Sequence, residues 1–316
     1  MAVQAIEVDG PSRWFGRGDD RVVALSDVSY SVEQGSVVAL LGENGAGKTT
    51  MTKILATLLL PSQGKARLFG HDVAGETGEC RRLASVVFGG ERGLYWQLSG
   101  RDNLVFFGML AGVSRRDTRT RVPELLEQVG LADVADRRVE TYSKGMKQRL
   151  HVAIGFLPRP RILLLDEPSV GLDPLEAERL RTAIAGARDD GVTVLLTSHN
   201  LVDVERLADR VLLLDQGVIS EDLTLQQFLG RAGYAAAVTV SGAGMVPSIV
   251  ATDGISPAGP PVVVADGWQI TLRVAHWNPQ VFEQLATLLA GSQVRDVQVR
   301  EVRLEEAFAE VAGGSR

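Results

Sequence analysis

The sequence predicts an α/β fold built on a parallel sheet, followed by a small α+β domain, and three observations carry that reading. Residues 36–50, SVVALLGENGAGKTT, are an apolar run that breaks into a glycine-rich loop ending in Lys48-Thr49. Residues 162–168 (ILLLDEP) and 192–199 (VTVLLTSH) are two more apolar runs, ending in Asp166, Glu167 and His199. Beyond about Leu229 the texture changes to alternating strand patterns interleaved with amphipathic helices.

The first run reads as a strand feeding a phosphate loop, G-x-x-x-x-G-K-T from Gly42 to Thr49. Gly42, Gly45 and Gly47 let the backbone bend so that successive N–H groups point at one centre. A helix opening near Lys48 adds the positive end of its dipole. Lys48 then reaches the β- and γ-phosphates, and the Thr49 hydroxyl is placed for Mg²⁺. The alternative is a chance match in a glycine-rich turn. The strand before the loop and the helix-like KTTMTKILATLL after it weigh against that.

In ILLLDEP, Asp166 suits Mg²⁺ and Glu167 suits orienting and polarising an attacking water. Two acids at the end of a buried strand are otherwise costly, since a buried carboxylate needs a partner; an acidic turn is the plainer alternative. His199 ends a strand expected to run parallel to the loop strand, where ligands of such sheets sit. A lone histidine is more often a surface or satisfied core residue. In YSKGMKQRL, Ser143 reads as a helix N-cap and Gly145 allows close backbone approach, which makes a second anion site. Alone, that stretch is an ordinary capped helix.

Together these stretches resemble the ATP-binding cassette (ABC) family of transport ATPases. GENGAGKTT resembles Walker A, ILLLDEP Walker B, YSKGM the signature motif, SVGLD the D-loop and TSH the switch histidine. The resemblance spans roughly residues 5–225 and implies a RecA-like core with an antiparallel β edge and a helical subdomain. It implies that Gly42, Glu43, Asn44, Gly45, Ala46, Gly47, Lys48, Thr49 and Thr50 bind ATP, with Phe15 of RWFG stacking on adenine. Thr49 and Asp166 would hold Mg²⁺, and Glu167 and His199 would serve catalysis. Ser143, Lys144, Gly145 and Met146 would meet the ATP of a partner cassette, with Asp173 in the D-loop.

Two departures qualify the match. The family's glutamine after the strand preceding the helical subdomain falls, by spacing from LSGRDNL, at Gly90, so a side chain expected near Mg²⁺ and water is missing. Glu91 is the nearest polar substitute and a candidate metal ligand. The signature has Tyr142, Lys144 and Met146 where Leu, Gly and Gln are commoner. The SKGM form resembles bacterial exporters of drugs, antibiotics, ions and glycans whose membrane subunits are separate chains.

At 316 residues the chain has room for one large domain and one small one. The boundaries read as 1–228 for the cassette, with a helical subdomain at about 88–156, and 229–316 for the α+β domain. The formal net charge of -6 argues against broad nucleic-acid binding. The single cysteine, Cys80, suits a reducing cytosol. No apolar run approaches the roughly 20 residues needed to span a bilayer, and MAVQAIEVDG lacks the features of a signal peptide. Lysine occurs only at Lys48, Lys53, Lys65, Lys144 and Lys147 while arginine is abundant, a bacterial hint.

The resemblance therefore implies an ATPase at the cytoplasmic face of the membrane, peripheral through a separate permease and paired with a second cassette, either a copy or a paralogue. Export is the expected direction. An importer ATPase and a non-transport regulatory ATPase are the alternatives. The permease contact is expected near Leu94–Leu98 and Leu104–Leu110, with Tyr95 and Trp96 as candidates.

Overall fold

The first strand, β1 (Gln4–Phe15), pairs antiparallel with β2 (Val22–Leu25) and β3 (Tyr30–Glu33). β4 (Val37–Leu41) is buried at every position, as a central strand covered on both faces must be. The phosphate loop follows it, then α1 (Lys48–Leu55). β5 (Gln63–Leu68) and β6 (His71–Asp72) complete an antiparallel sheet of order β2-β1-β5-β6, with β3 also on β1. This is the antiparallel edge that the sequence predicts. The computed structural model describes residues 3–89, 93–252, 254–264 and 266–313, and the chain divides into two compact units between Thr224 and Leu225.

After α2 (Thr77–Leu83) and β7 (Ala84–Phe88) come three helices, α3 (Gly100–Leu110), α4 (Arg115–Gln128) and α5 (Lys144–Phe156). Each has a serine N-cap: the side chains of Ser99, Ser114 and Ser143 accept from the N–H groups of Asp102, Asp117 and Met146. β8 (Ile162–Asp166), α6 (Pro174–Asp189), β9 (Thr193–Thr197), α7 (Leu201–Leu207), β10 (Arg210–Asp215) and β11 (Val218–Thr224) finish the first unit.

The second sheet runs β11-β10-β4-β9-β8-β7. β10, β4, β9, β8 and β7 are parallel, and β11 is antiparallel on β10. Register brings the carboxyl ends level: Leu40 stands beside Thr197, Thr197 beside Asp166, and Asp166 beside Phe88. β9 thus lies between the loop strand and the acidic strand. The loops after β4, β8 and β9 open on one edge, where ligands of open α/β sheets bind.

The second unit begins with α8 (Leu225–Gly230) and holds β12 (Ala236–Ala243), β13 (Ile255–Pro257), β14 (Val262–Val264), β15 (Gly267–Val274), α9 (Gln280–Leu288), β16 (Gln293–Glu301) and α10 (Leu304–Gly313). Its antiparallel sheet runs β13-β15-β12-β16, with β14 on β15. Alternate residues Val238 and Val240 of β12 and Trp268, Ile270 and Leu272 of β15 form a core closed by Val281 and Leu285 of α9. The buried Trp268 indole donates to the Ala243 carbonyl at 3.2 Å.

In this unit Arg300 donates twice to the Glu306 carboxylate, at 2.9 and 2.7 Å, and the Arg303 N–H donates to it as well. The Arg300 guanidinium chiefly, then the backbone N–H, hold the Glu306 carboxyl down at about 2, from an ordinary 4.5. A depressed carboxylate contributes stability that is fully present above its unfolded value and is lost as pH falls through the folded one. The acid limb of thermal stability between about pH 4.5 and pH 2 should therefore flatten in Glu306→Gln. Identical acid limbs in variant and wild type would remove this pair from the account.

Candidate active site

The loop after β4 is shaped by close approaches that only glycine permits. Gly42 (φ 156°) and Gly47 (φ 111°) occupy left-handed backbone, and a Cβ on them would collide with the carbonyls of Leu214 and Ala24. Glu43, Asn44 and Gly45 are exposed at the loop tip, Ala46 is buried, and Thr50 lies half-buried in the first turn of α1. Lys48 is buried, with Nζ donating to the carbonyls of Gly42 at 2.7 Å and Glu43 at 3.1 Å. The same Nζ is 3.7 Å from Glu167 Oε1.

The acidic strand end faces this loop. Thr49 Oγ1 donates to Asp166 Oδ2 at 2.8 Å, and Thr197 Oγ1 donates to Asp166 Oδ1 at 2.6 Å. Thr197 Oγ1 also accepts from the Glu167 N–H at 3.1 Å. Glu167 sits at φ 53°, an uncommon conformation for a non-glycine residue that costs about 1–3 kcal/mol. That turn aims its carboxylate back over the strand ends. Oε2 lies 2.7 Å from His199 Nδ1 and accepts from the His199 N–H at 3.2 Å. Glu167 therefore bridges Lys48 and His199, and its side chain is 20% exposed, open enough for water to reach it.

The signature turn lies at the start of α5. Ser143 Oγ accepts from Met146 N at 3.1 Å, and Lys144 begins the helix. A Cβ on Gly145 would come within 2.7 Å of the Glu176 side chain in α6, so α5 packs there at backbone distance. One turn on, buried Arg149 forms an ion pair with Glu176 at 2.7 Å and donates to the carbonyls of Val129 and Gly130. Tyr142 is buried and donates to the Val134 carbonyl at 2.7 Å, which explains an aromatic where an aliphatic is commoner. Asp173 caps α6 through the Glu176 N–H at 2.9 Å, with Pro174 in the first turn.

Phe15 ends β1, is 43% exposed, and has the Arg13 guanidinium 4.7 Å over its ring. Gly90 and Glu91 lie outside the described residues. Sequence reasoning missed Thr197, the hydroxyl that joins the Asp166 carboxylate to the Glu167 backbone N–H. Its signal was a threonine two residues before His199 at a strand end. It also missed Arg149, whose signal was a cation four residues after Gly145 on the same helix face. A third omission is the buried link of Ser169 Oγ to Asp203, which Arg181 approaches at 3.5 Å. Burial pushes the Asp203 carboxyl up, against the pull of Ser169 and Arg181.

A parallel sheet with a phosphate loop, an acidic strand end and a capped helix turn defines the class of P-loop nucleotide-binding proteins. Comparison with known proteins narrows it. The family model described as "ABC transporter" matches residues 25–170. The doxorubicin resistance ATP-binding protein DrrA of Mycobacterium tuberculosis is 42% identical over 229 residues, 72% of this chain and 68% of that protein. The daunorubicin resistance ATP-binding protein DrrA3 of Streptomyces coeruleorubidus is 35% identical over 318 residues, covering 100% of this chain and 98% of that one. A solved ATP-binding subunit of an ABC transporter is 31% identical, with a TM-score of 0.62 over 71% of this chain and 91% of that one. The chain belongs to the ABC transporter family, as an ATP-binding and ATP-hydrolysing subunit.

Proposed function

We propose that this chain drives a bacterial exporter whose permease is a separate membrane-spanning chain, acting at the cytoplasmic face of the membrane. The observation that carries the ATP-hydrolysing part of this reading is the convergence of Lys48, Thr49, Asp166, Glu167 and His199 at the level strand ends. Two relatives named for doxorubicin and daunorubicin resistance support a drug or antibiotic as cargo; another small molecule or a glycan is the broader reading that the SKGM signature carries. Among the described residues no helix is long and apolar enough to cross a membrane.

The residues present account for the chemistry. The loop N–H groups and the N-terminus of α1 receive the phosphates of ATP, with Lys48 as their side-chain cation and Phe15 against the adenine. Glu167, held between Lys48 and His199, accepts a hydrogen bond from the attacking water and orients it toward the γ-phosphorus. Thr49 and Asp166 offer hard oxygen donors 2.8 Å apart, which fits Mg²⁺, a cation that takes few protein ligands. Bound there, Mg²⁺ would neutralise charge on the phosphate oxygens. Ser143, Lys144, Gly145 and Met146 of a second cassette close on the same γ-phosphate, with Asp173 at that contact.

The permease contact is supported by exposed Tyr95, Trp96, Met109 and Leu110. Beside them a cavity of about 640 Å³ opens between β7, α3 and α5, lined by Leu94, Phe107, Leu110 and His151. Purifying the chain with its membrane partner and measuring ATP-dependent cargo entry into inverted vesicles tests the direction of transport. Transport that requires a solute-binding protein would make it an importer instead.

The metal assignment has its own test. Thr49→Ala should raise the Mg²⁺ concentration for half-maximal hydrolysis by about tenfold or more. ATP binding in a chelator should change little. An unaltered Mg²⁺ dependence would take Thr49 out of the metal site.

A further inference from the structure

β16 closes one side of the second unit's sheet: it pairs with β12, and among the described residues no strand covers its other edge. Long exposed edges are usually blunted, because their free N–H and C=O groups template pairing with another chain. β16 is nine residues long, and Val294, Val297 and Val299 along it are 40%, 47% and 46% exposed. Val297 and Val299 stand opposite Val240 and Val238, which are buried in the core with α9. The apolar face therefore runs out to the edge and stops uncovered.

The edge is also its own complement. From Val294 to Val302 the chain reads VRDVQVREV. Laid antiparallel on a second copy about a two-fold axis at Gln298, Val297 faces Val299 and Asp296 faces Arg300. Arg295 then faces Glu301, and every pair occurs twice. Moving the axis one residue, to Val297 or Val299, loses every opposite-charge pair. The backbone agrees with this register. The Val302 N–H donates to Ala235 of the β12 side, so alternation turns the N–H and C=O groups of Val297 and Val299 outward. Those are the two residues the Gln298 axis pairs. The bulge opposite Ser241 and Gly242 interrupts the ladder at Arg295 and limits the length of regular edge.

We infer that β16 is a self-docking edge, through which two copies of this chain join their small sheets into one antiparallel sheet without nucleotide. Cross-strand valines continue the apolar face, and on the other face Asp296 of one copy meets Arg300 of the other, whose guanidinium also holds its own Glu306.

Light scattering on the full chain, free of ATP and Mg²⁺, tests this and does not depend on the roles given to Lys48 or Ser143. A dimer is expected. Arg295→Glu and Asp296→Arg each set like charges opposite one another twice, and each should weaken dimerisation about tenfold or more. Val297→Pro removes an outward N–H that β12 does not use, and it should have the same effect. The double swap Arg295→Glu with Glu301→Arg restores opposite charges and should restore the dimer. Unchanged amide-exchange protection of β12 and β15 reports that the small sheet is folded in each variant. A monomeric wild type, a dimer indifferent to all three single variants, or a swap that stays monomeric would overturn the inference.

Discussion

Replacing Glu167 with glutamine is expected to stop hydrolysis while leaving ATP bound. The side chains are nearly isosteric, so the φ 53° turn and the hydrogen bond from the His199 N–H survive. What goes is the charge that polarises water. General-base contributions of this kind are worth about a hundredfold to ten-thousandfold, and turnover should fall into that range. Affinity should hold or rise, because the variant no longer sets a carboxylate beside the phosphate tail and leaves Lys48 without its anionic neighbour at 3.7 Å. Single-turnover hydrolysis and nucleotide binding, measured side by side, separate the two effects. Wild-type turnover in Glu167→Gln would show that another group orients the water.

Lys48→Ala should act earlier, on binding itself. Lys48 Nζ is the donor for the Gly42 and Glu43 carbonyls, and truncation leaves both loop carbonyls short of a partner. A hydrogen bond to a charged group contributes about 1.5–3 kcal/mol, so losing the one Lys48 makes to phosphate should lower ATP affinity by about tenfold to a hundredfold. Turnover should fall further still, since charge develops on the same phosphate oxygens. Lys48→Arg keeps the charge, but a planar fork replaces the compact ammonium that the Gly42 and Glu43 carbonyls hold. It should not rescue. An alanine variant that binds and turns over ATP normally would exclude the loop as the phosphate site.

The strand before Gly42, the strand ending in Asp166 and the capped start of α5 were legible because each has a local cause. Apolar runs bounded by glycine or acids can hardly be anything but buried strands, and Ser143 before a helical pattern is a cap wherever it falls. Less legible was what depends on neighbours distant in sequence. Nothing in the order of elements says that β9 inserts between β4 and β8, yet this insertion carries Thr197 to Asp166. The partner of Arg149 is Glu176, on the next helix, and no local pattern links them. β13 and α8 are short and lack a clean period, so pairing and packing, not propensity, make them.

The contact of Gly145 with Glu176 has a mechanical consequence. Glu176 is also the residue whose N–H caps onto Asp173, and its carboxylate is clamped by Arg149 from the signature helix. The starts of α5 and α6 are thereby riveted at one point, with a buried ion pair as the rivet. A displacement that reaches Ser143 must carry Asp173 with it. The two contacts proposed to meet a partner's nucleotide would then engage and release in a single stroke, like the two jaws of one clamp.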